Sequence, residues 1–172
     1  MDNFIIFDRD GTLIEFEHYL IQPNRVVIND YTFCGLQSLI ENGYRLGVIS
    51  NQSIIGRGIA SKEQVELVNN EMLLQFKAQG INFDFILYCP HSPVDLCECR
   101  KPKISLGLKA IKEYNINVGG SYMIGDMESD IEFGVALRLT TVKISSQFST
   151  TASFTAENVL DASNWILDNR WI

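Results

Sequence analysis

The chain has 172 residues, enough for one domain with a substantial core and short for two. Its hydrophobic fraction of 46% without low-complexity segments indicates a globular protein, and the lack of a long apolar run or a secretory leader predicts a cytoplasmic one. The net charge of −7 argues against binding to nucleic acid or to an anionic membrane surface, but it is compatible with a small anionic substrate.

Short apolar segments alternate with amphipathic segments along the chain, which predicts an α/β fold. The predicted strands are 4–7, 46–49, 85–88, 122–124, 141–144 and a last short one at 159–160. The predicted helices are 36–41, 61–79, 105–114, 131–137 and a final helix that Asp161 could cap. The helix at 61–79 begins with a capping box. This alternation predicts a single domain, residues 1–172, with a doubly wound parallel sheet covered by helices on both faces.

Polar clusters follow four of the predicted strands. Asp8 and Asp10 follow the first strand, Ser50 the second, a cysteine-containing segment the third and Asp126 the fourth. Because right-handed crossovers gather the strand-to-helix loops at one edge of a parallel sheet, we expect these clusters to form one site.

The two aspartates after the first strand are separated by one residue. Two like charges this close are unfavourable without a cation, and their hard oxygen atoms suit Mg²⁺. One carboxylate could attack a phosphoryl group while the other transfers a proton; the alternative is a solvated turn. Asp126 could complete the Mg²⁺ shell with Asp8 and the backbone carbonyl of Asp10. Asp130 could support the site or simply favour the start of the next helix.

Three of the four cysteines and one of the two histidines lie in the segment 89–99, which we call the zinc loop. Cys89, His91, Cys97 and Cys99 are the Cys₃His donor set of a closed structural Zn²⁺ site. The alternatives are a disulfide, disfavoured by the odd number of cysteines and a cytosolic setting, and unrelated buried thiols, which leave His91 unexplained. Cys34 lies outside the loop and is expected to be a small buried apolar residue.

Basic residues follow the zinc loop directly, at Arg100, Lys101 and Lys103. A metal-held loop would fix these side chains over an anion, where arginine can bind phosphate through two parallel hydrogen bonds and lysine can act as a point charge. The alternative is a solvated basic turn.

Together these segments resemble the four motifs of the haloacid dehalogenase phosphatase superfamily, in the same order. The matching segments are Asp8-Arg9-Asp10-Gly11-Thr12, Ser50, Arg100-Lys101-Pro102 and Gly125-Asp126 with Asp130. The resemblance covers about residues 4–170 and implies a Rossmann-like fold without a large cap domain. The zinc loop is similar to that of the branch that contains the D-glycero-D-manno-heptose 1,7-bisphosphate 7-phosphatases and the histidinol-phosphate phosphatases.

The resemblance implies a role for each matching residue. Asp8 would form an aspartyl-phosphate, and Asp10 would protonate the leaving oxygen and then deprotonate the hydrolytic water. Mg²⁺ would be held by Asp8, the Asp10 carbonyl and Asp126, while Ser50 and Lys101 would stabilise the transferring oxygens. Substrate contacts are implied for Asn51, Gln52, Ser53, Arg57, Arg100 and, in the loop after the first motif, Tyr19.

Within this branch the segment 51–58 is similar to that of the heptose enzymes, which predicts a phosphorylated heptose as the substrate and removal of its 7-phosphate. The compact zinc loop is similar in length to that of the histidinol-phosphate enzymes, which are the alternative. Met127 departs from the branch, where a basic residue usually follows Gly-Asp. Functions from other classes are a phosphoacceptor signalling domain and a non-catalytic, zinc-stabilised binding module. A monomer is expected.

Overall fold

The computed structural model of the chain describes residues 1–169 and contains one six-stranded parallel sheet in the order β3-β2-β1-β4-β5-β6. The strands are β1 (Phe4–Phe7), β2 (Arg45–Asn51), β3 (Phe85–Cys89), β4 (Tyr122–Gly125), β5 (Thr140–Ile144) and β6 (Phe154–Ala156). The helices are α1 (Asp30–Glu41), α2 (Lys62–Ala78), α3 (Ser105–Tyr114), α4 (Glu128–Ala136) and α5 (Val159–Asn169). The predicted doubly wound α/β fold is confirmed.

Each face of the sheet packs against its own set of helices. On one face Ile5 and Phe7 of β1 join an apolar core built with α1, α2 and α5. On the other face Phe4 and Ile6 join a core built with α3 and α4. All four β1 side chains are buried, because successive residues of a strand point to opposite faces and both faces are covered. The continuous apolar run at the start of the chain therefore forms a central strand.

The topology places a crevice beyond the carboxyl end of β1. From β1 the chain moves outward to β2 and β3, and it then returns to β4 on the opposite side of β1 before continuing to β5 and β6. Adjacent crossover connections leave in opposite directions at such a switch point, which is where open α/β sheets bind their ligands. Between the strands of residues 1–169 there is no large inserted cap domain. No helix within residues 1–169 combines the length and apolar character needed to cross a membrane.

The C-terminal elements differ from the prediction. The predicted strand at 159–160 is wrong, because these residues form the first turn of α5 and the sixth strand is Phe154–Ala156, paired with β5. Two adjacent apolar residues do not distinguish a strand from a buried helical turn. Asp161 lies inside this first turn, where its amide donates to the Asn158 side chain and its carboxylate accepts the amide of Glu157.

Two other expectations also change. Helices α1 and α4 begin earlier than predicted, at Asp30 and Glu128, because polar residues fill their first turns. Cys34 is exposed on α1, so the expectation of a buried thiol is wrong. The capping box of α2 is confirmed: the Ser61 hydroxyl accepts the Gln64 amide (3.2 Å), and the Gln64 side chain accepts the Ser61 amide (2.8 Å).

Candidate active site

The carboxyl end of β1 places Asp8 and Asp10 at the crevice. The amide of Asp8 donates to the carbonyl of Ile124 (2.9 Å), which continues the β1–β4 pairing one residue past the strand and brings Asp8 beside the end of β4. The chain then turns at Gly11, which has a φ of +76°. A Cβ atom on Gly11 would lie 2.6 Å from Oδ2 of Asp126. A glycine is therefore needed here for both the turn and the approach of Asp126.

Lys101 lies under this crevice, where its ammonium group has three partners. Its ammonium group contacts Asp8 Oδ1 (2.6 Å) and Asp130 Oδ1 (2.7 Å) and donates to the Ile49 carbonyl (2.5 Å). Only 2% of Lys101 is exposed. The side-chain amide of Asn51 holds its backbone, accepting from the Lys101 amide (2.9 Å) and donating to the Lys101 carbonyl (3.1 Å). All three ammonium protons therefore have partners in the absence of substrate.

Burial and mutual repulsion raise the pKa values of two carboxyl groups. Burial raises the pKa of Asp8 to about 7; the attraction of Lys101 opposes this rise, and repulsion from Asp130 and Asp10 adds to it. Burial and repulsion from Asp130 likewise raise the pKa of Asp126 to about 6. For Lys101 the two neighbouring carboxylates outweigh the opposite effect of burial, so its pKa lies above the ordinary lysine value. The site thus carries an excess of acidic groups.

The acidic groups fit a hard divalent cation. Carboxylate oxygens of Asp8, Asp126 and Asp130 lie within 4.8 Å of one another. Oδ1 of Asp126 is buried without a hydrogen-bond partner, so it lacks the compensation that a buried carboxylate oxygen needs. Asp130 has both oxygens engaged, one by Lys101 and the other by the Met127 amide (3.0 Å). Asp8 and Asp126 are therefore the better donors for Mg²⁺, and Asp130 both orients Lys101 and caps α4.

We expect Mg²⁺ to bind more weakly as the pH falls, by roughly 10- to 100-fold between about pH 8 and about pH 5.5. The reason is that the pKa values of about 7 for Asp8 and about 6 for Asp126 make protons compete with the metal in this range. Calorimetric titration at both pH values measures the affinity, with the zinc content determined in parallel to exclude loss of zinc as the cause. A pH-independent affinity would contradict this assignment of the ligands.

Asp10 is held by a buried network that the sequence did not predict. Arg9 donates from Nη2 to both Asp10 oxygens (2.9 Å each) and from Nε to Oδ2 (3.1 Å). The Gln52 side chain donates to Asp10 Oδ2 (2.8 Å) and to the Ser50 hydroxyl (3.0 Å). Arg9 also reaches Asn69 on α2 (2.7 Å). The only sequence signal for this network was an arginine between two aspartates at the end of a buried strand.

The predicted zinc ligands come together at the end of β3. Donor atoms of Cys89, His91, Cys97 and Cys99 all lie within 4.8 Å of one another. Individual pairs of these atoms are 3.1–3.6 Å apart. A tetrahedral ion with bonds of about 2.0–2.3 Å would separate its donors by roughly 3.3–3.8 Å. The sulfur atoms are too far apart for a disulfide of about 2.05 Å. The geometry therefore fits a four-coordinate structural Zn²⁺ with Nδ1 as the histidine ligand.

The zinc loop also packs against the segment 52–58. The amide of Gly56 donates to the Pro90 carbonyl (2.8 Å), and a Cβ atom on Gly56 would lie 2.4 Å from the Ser92 amide nitrogen. This close approach joins the zinc loop to the segment that follows β2. At its C-terminal end the loop leads from Cys99 directly into Arg100 and Lys101. A Zn²⁺ ion in the loop would therefore restrain both sides of the crevice.

Elemental analysis is expected to find about one zinc per chain, resistant to mild chelation, because a closed Cys₃His site exchanges no protein ligand for solvent. Replacement of Cys99 by alanine should remove the zinc and raise KM for a phosphorylated substrate, since Arg100 follows Cys99 directly. Cys34→Ala is the matched control, because Cys34 is an exposed thiol outside the cluster. A zinc-free wild-type protein with an ordinary KM would contradict this role.

A cavity of about 300 Å³ lies over the carboxyl end of β1. Asp8, Asp10 and Asp126 line it together with Lys101. The predicted substrate contacts that also line it are Tyr19, Asn51, Gln52, Ser53 and Arg100. Ser50 is buried behind Gln52 rather than in the wall. Arg57 is exposed and is not brought to the cavity, because the turn at Gly56 packs on the zinc loop and directs the following residue outward.

The cavity combines one unpaired cation with an apolar mouth. Nη1 of Arg100 is buried and has no hydrogen-bond partner, so this guanidinium nitrogen is left for an anionic ligand. At the mouth, Phe16 and Met127 are 69% and 60% exposed, and the rings of His18 and Tyr19 are in contact (3.7 Å between centroids). Met127 therefore presents an apolar side chain beside Asp126.

Residues 3–160 match the model of the family described as polynucleotide kinase 3 phosphatase. The chain is 34% identical over 136 residues to a probable D-glycero-D-manno-heptose-1,7-bisphosphate 7-phosphatase of Thermoplasma volcanium, an alignment that covers 78% of this chain and 93% of the relative. It is 33% identical over 145 residues to the histidine biosynthesis bifunctional protein HisB of Blochmanniella floridana, covering 83% of this chain but only 41% of that protein. The chain thus spans less than half of the bifunctional relatives.

Solved structures show the same fold. The D,D-heptose 1,7-bisphosphate phosphatase of B. bronchiseptica, a complex with magnesium and phosphate, has a TM-score of 0.87 at 19% identity and covers 96% of this chain and 98% of its own. A HAD-like phosphatase of Mesorhizobium loti has a TM-score of 0.84 at 20% identity and covers 98% of this chain and 87% of its own.

Proposed function

The chain belongs to the polynucleotide kinase 3 phosphatase family and has the haloacid dehalogenase-type fold, and from this premise we propose that it is a Mg²⁺-dependent phosphatase that removes the 7-phosphate of D-glycero-D-manno-heptose 1,7-bisphosphate. The observation that carries the phosphatase assignment is the buried group of Asp8, Lys101 and Asp130 beside the unpartnered Asp126 oxygen, at the base of an open cavity. This group combines a nucleophile, a fixed cation and free metal donors.

The reaction proceeds in two steps through Asp8. A carboxylate oxygen of Asp8 bonds to phosphorus while the bond from phosphorus to the sugar oxygen breaks, and Asp10 supplies the proton that the leaving oxygen takes. Water then attacks the aspartyl-phosphate, loses its proton to Asp10 and regenerates Asp8. Lys101 stabilises the charge on the transferring oxygens, whereas the Ser50 hydroxyl, for which the same role was predicted, lies behind Gln52. Mg²⁺, when bound, polarises a phosphoryl oxygen and offsets the repulsion between phosphate and carboxylates.

The heptose substrate is supported by the relatives and by Arg100. The heptose phosphatase of T. volcanium aligns over nearly its whole length, whereas the histidine protein aligns over less than half. A bisphosphate carries a second anion that needs a cation outside the reaction centre. The buried, unpartnered Nη1 of Arg100 is such a donor at the cavity wall.

Hydrolysis of histidinol phosphate is the second candidate, and the mouth of the cavity favours it. Met127 replaces a basic residue there, and Phe16 and Tyr19 add apolar and aromatic surface. A substrate with one phosphate and a flat heterocycle would need fewer cations and would gain from contact with these side chains. A partner among small phosphorylated molecules is common to both candidates, and the monomeric state and cytoplasmic location stay predictions.

The deciding experiment compares kcat/KM for heptose 1,7-bisphosphate, heptose 7-phosphate and histidinol phosphate. We expect the bisphosphate to be preferred, and Met127→Lys to raise its kcat/KM about tenfold by adding a charged hydrogen bond, while heptose 7-phosphate changes little. A large preference for histidinol phosphate would select the second candidate. Stable phosphorylation of the protein without multiple turnover would favour a phosphoacceptor signalling domain, and inactivity on every ester would favour a non-catalytic binding module.

A further inference from the structure

Arg9 is the largest fully buried side chain among residues 1–169, with 1% exposed. Its guanidinium group contacts three side chains: Asp10, Gln52 through Nη2 (2.9 Å) and Asn69 through Nη1 (2.7 Å). Asp10 is the neighbour in sequence, whereas Asn69 lies 60 residues away on α2. The buried arginine thus connects a helix on one face of the sheet to the carboxylate at the reaction centre.

Asn69 is a polar exception on the buried side of α2. The other buried residues of this helix are Val65, Val68, Met72 and Phe76, and Asn69 is only 6% exposed. A buried amide destabilises a core unless it is paired, and an apolar residue would pack against the sheet without this requirement. Its Oδ1 atom accepts from Arg9. Packing of the helix alone therefore does not explain an asparagine at this position.

The network determines the direction of the Asp10 carboxylate. Arg9 approaches both carboxylate oxygens from one side, in the fork arrangement that fixes a carboxylate in its plane. Gln52 donates to Oδ2 and to the Ser50 hydroxyl, which connects Asp10 to the buried end of β2. A general acid has to lie within hydrogen-bond reach of the leaving oxygen, so its orientation enters both chemical steps.

We propose that Asn69 is a positioning residue for the phosphatase reaction, acting through Arg9 to hold Asp10 in the orientation for proton transfer. This inference rests on the proposed role of Asp10 as acid and base. Asn69 touches neither substrate nor metal donors; it fixes the guanidinium group, which fixes the carboxylate. Loss of the Asn69 acceptor leaves a buried N–H of Arg9 unpaired and frees the fork to rotate away from Asp10.

The test compares a substrate whose leaving group needs a proton from Asp10 with a substrate whose leaving group does not. Departure of 4-nitrophenolate needs no protonation, whereas a sugar alkoxide does; hydrolysis of the aspartyl-phosphate needs Asp10 in both cases. Asn69→Leu is therefore expected to lower kcat for heptose 1,7-bisphosphate by roughly 10- to 100-fold with little change in KM. With 4-nitrophenyl phosphate it should show a burst of about one nitrophenolate per chain followed by slow turnover, because the first step is spared.

Two variants serve as controls. Asn69→Asp keeps an oxygen acceptor for Arg9 and should retain most of the activity. Asn70→Leu changes the exposed neighbour on the same helix turn and should behave as the wild type. Circular dichroism establishes folding, and Asn69→Ser replaces the leucine variant in the same assays if that variant does not fold.

The inference is overturned if Asn69→Leu loses the burst and the steady-state rate in proportion, or if it matches the wild type while Asp10→Asn is inactive. The proposed role of Asp10 fails separately, if Asp10→Asn retains turnover of the sugar phosphate. Inactivity of the wild type on all esters would reject the phosphatase itself, so each failure has its own signature.

Discussion

Asp8→Asn is expected to abolish turnover, with kcat reduced on the order of 10⁴-fold or more, because no other carboxylate within residues 1–169 is placed to form the covalent intermediate. Asp10 is bound by Arg9 and Gln52, and Asp130 is bound by Lys101 and the Met127 amide. Asp126 is opposite Gly11 and offers an unpartnered oxygen to a metal. Steady-state assays and rapid quenching for a phosphorylated protein intermediate measure the loss.

The same substitution should leave the fold intact. Asp8 is buried with a pKa raised to about 7, so its charged form is unfavourable in the metal-free protein above that pH. The neutral amide removes this charge, and Lys101 keeps Asp130 as an ion-pair partner. Thermal unfolding without Mg²⁺ at about pH 8 should therefore give a Tm no lower than that of the wild type. Retained multiple turnover by a folded Asp8→Asn protein would reject Asp8 as the nucleophile.

Lys101→Met is expected to reduce both activity and stability. Without the ammonium group, Asp8 and Asp130 face each other as buried carboxylates, and breaking a buried ion pair from one side typically costs about 3–5 kcal/mol. The transferring oxygens also lose their fixed cation, which typically lowers kcat by about 10²- to 10³-fold. Denaturant unfolding and steady-state kinetics on the same preparation measure the two effects.

The stability deficit of Lys101→Met should depend on pH. The pKa of Asp8 is already higher in the folded protein than in the unfolded chain. Loss of Lys101 raises this pKa further, because the attraction that opposes burial and the repulsion from Asp130 is then missing. In the wild type the loss of stability runs from the unfolded Asp8 pKa of about 4 up to about 7 and then levels off, whereas in the variant, with its higher Asp8 pKa, the loss continues above about 7. The deficit is therefore larger at about pH 8 than at about pH 5.5.

Lys103→Met is the matched control for Lys101→Met, since Lys103 belongs to the same basic segment but forms an exposed ion pair with Glu98. It should change stability by less than about 1 kcal/mol and leave kcat unchanged. The loss of stability in Lys101→Met is explained by the buried carboxylates of Asp8 and Asp130. This explanation would be contradicted if both variants lost the same stability, or if the loss in Lys101→Met did not vary with pH.

Much of the fold was predictable because its signals are local. The apolar run at residues 4–7 and the capping box at Ser61 and Gln64 each lie within a few residues of the chain, and both elements form as expected. The error at Val159 and Leu160 occurred where the signal was shortest, since two apolar residues fit a strand and a helical turn equally well. Phe154 of β6 stacks on Trp165 of α5 (4.8 Å between ring centroids), a contact between two elements that the pattern of either one alone does not contain.

The identities of the central site residues were also predictable from the sequence, because strand ends collect at one edge of a parallel sheet. Asp8, Lys101 and Asp126 meet there as expected, and so do the four zinc donors. What those residues contact was less predictable. Asn51, expected to face a substrate, holds the backbone of Lys101 with its amide, and Arg57 faces outward.

By itself, the sequence predicted the fold class, the donor residues of two candidate metal sites and the acidic pair at the end of β1, because apolar periodicity, clustered donor residues and the shared edge of parallel strand ends point to them. Only the tertiary structure decided which polar groups pair: Lys101 with both Asp8 and Asp130, and Arg9 with Asp10, Gln52 and Asn69. Such pairings join residues that are 29 to 93 positions apart, as well as neighbours, and they depend on the packed arrangement of the sheet and α2. Once these groups are buried, the low local polarity makes each unpaired donor or acceptor unfavourable, so the folded geometry rather than the local sequence selects the partners.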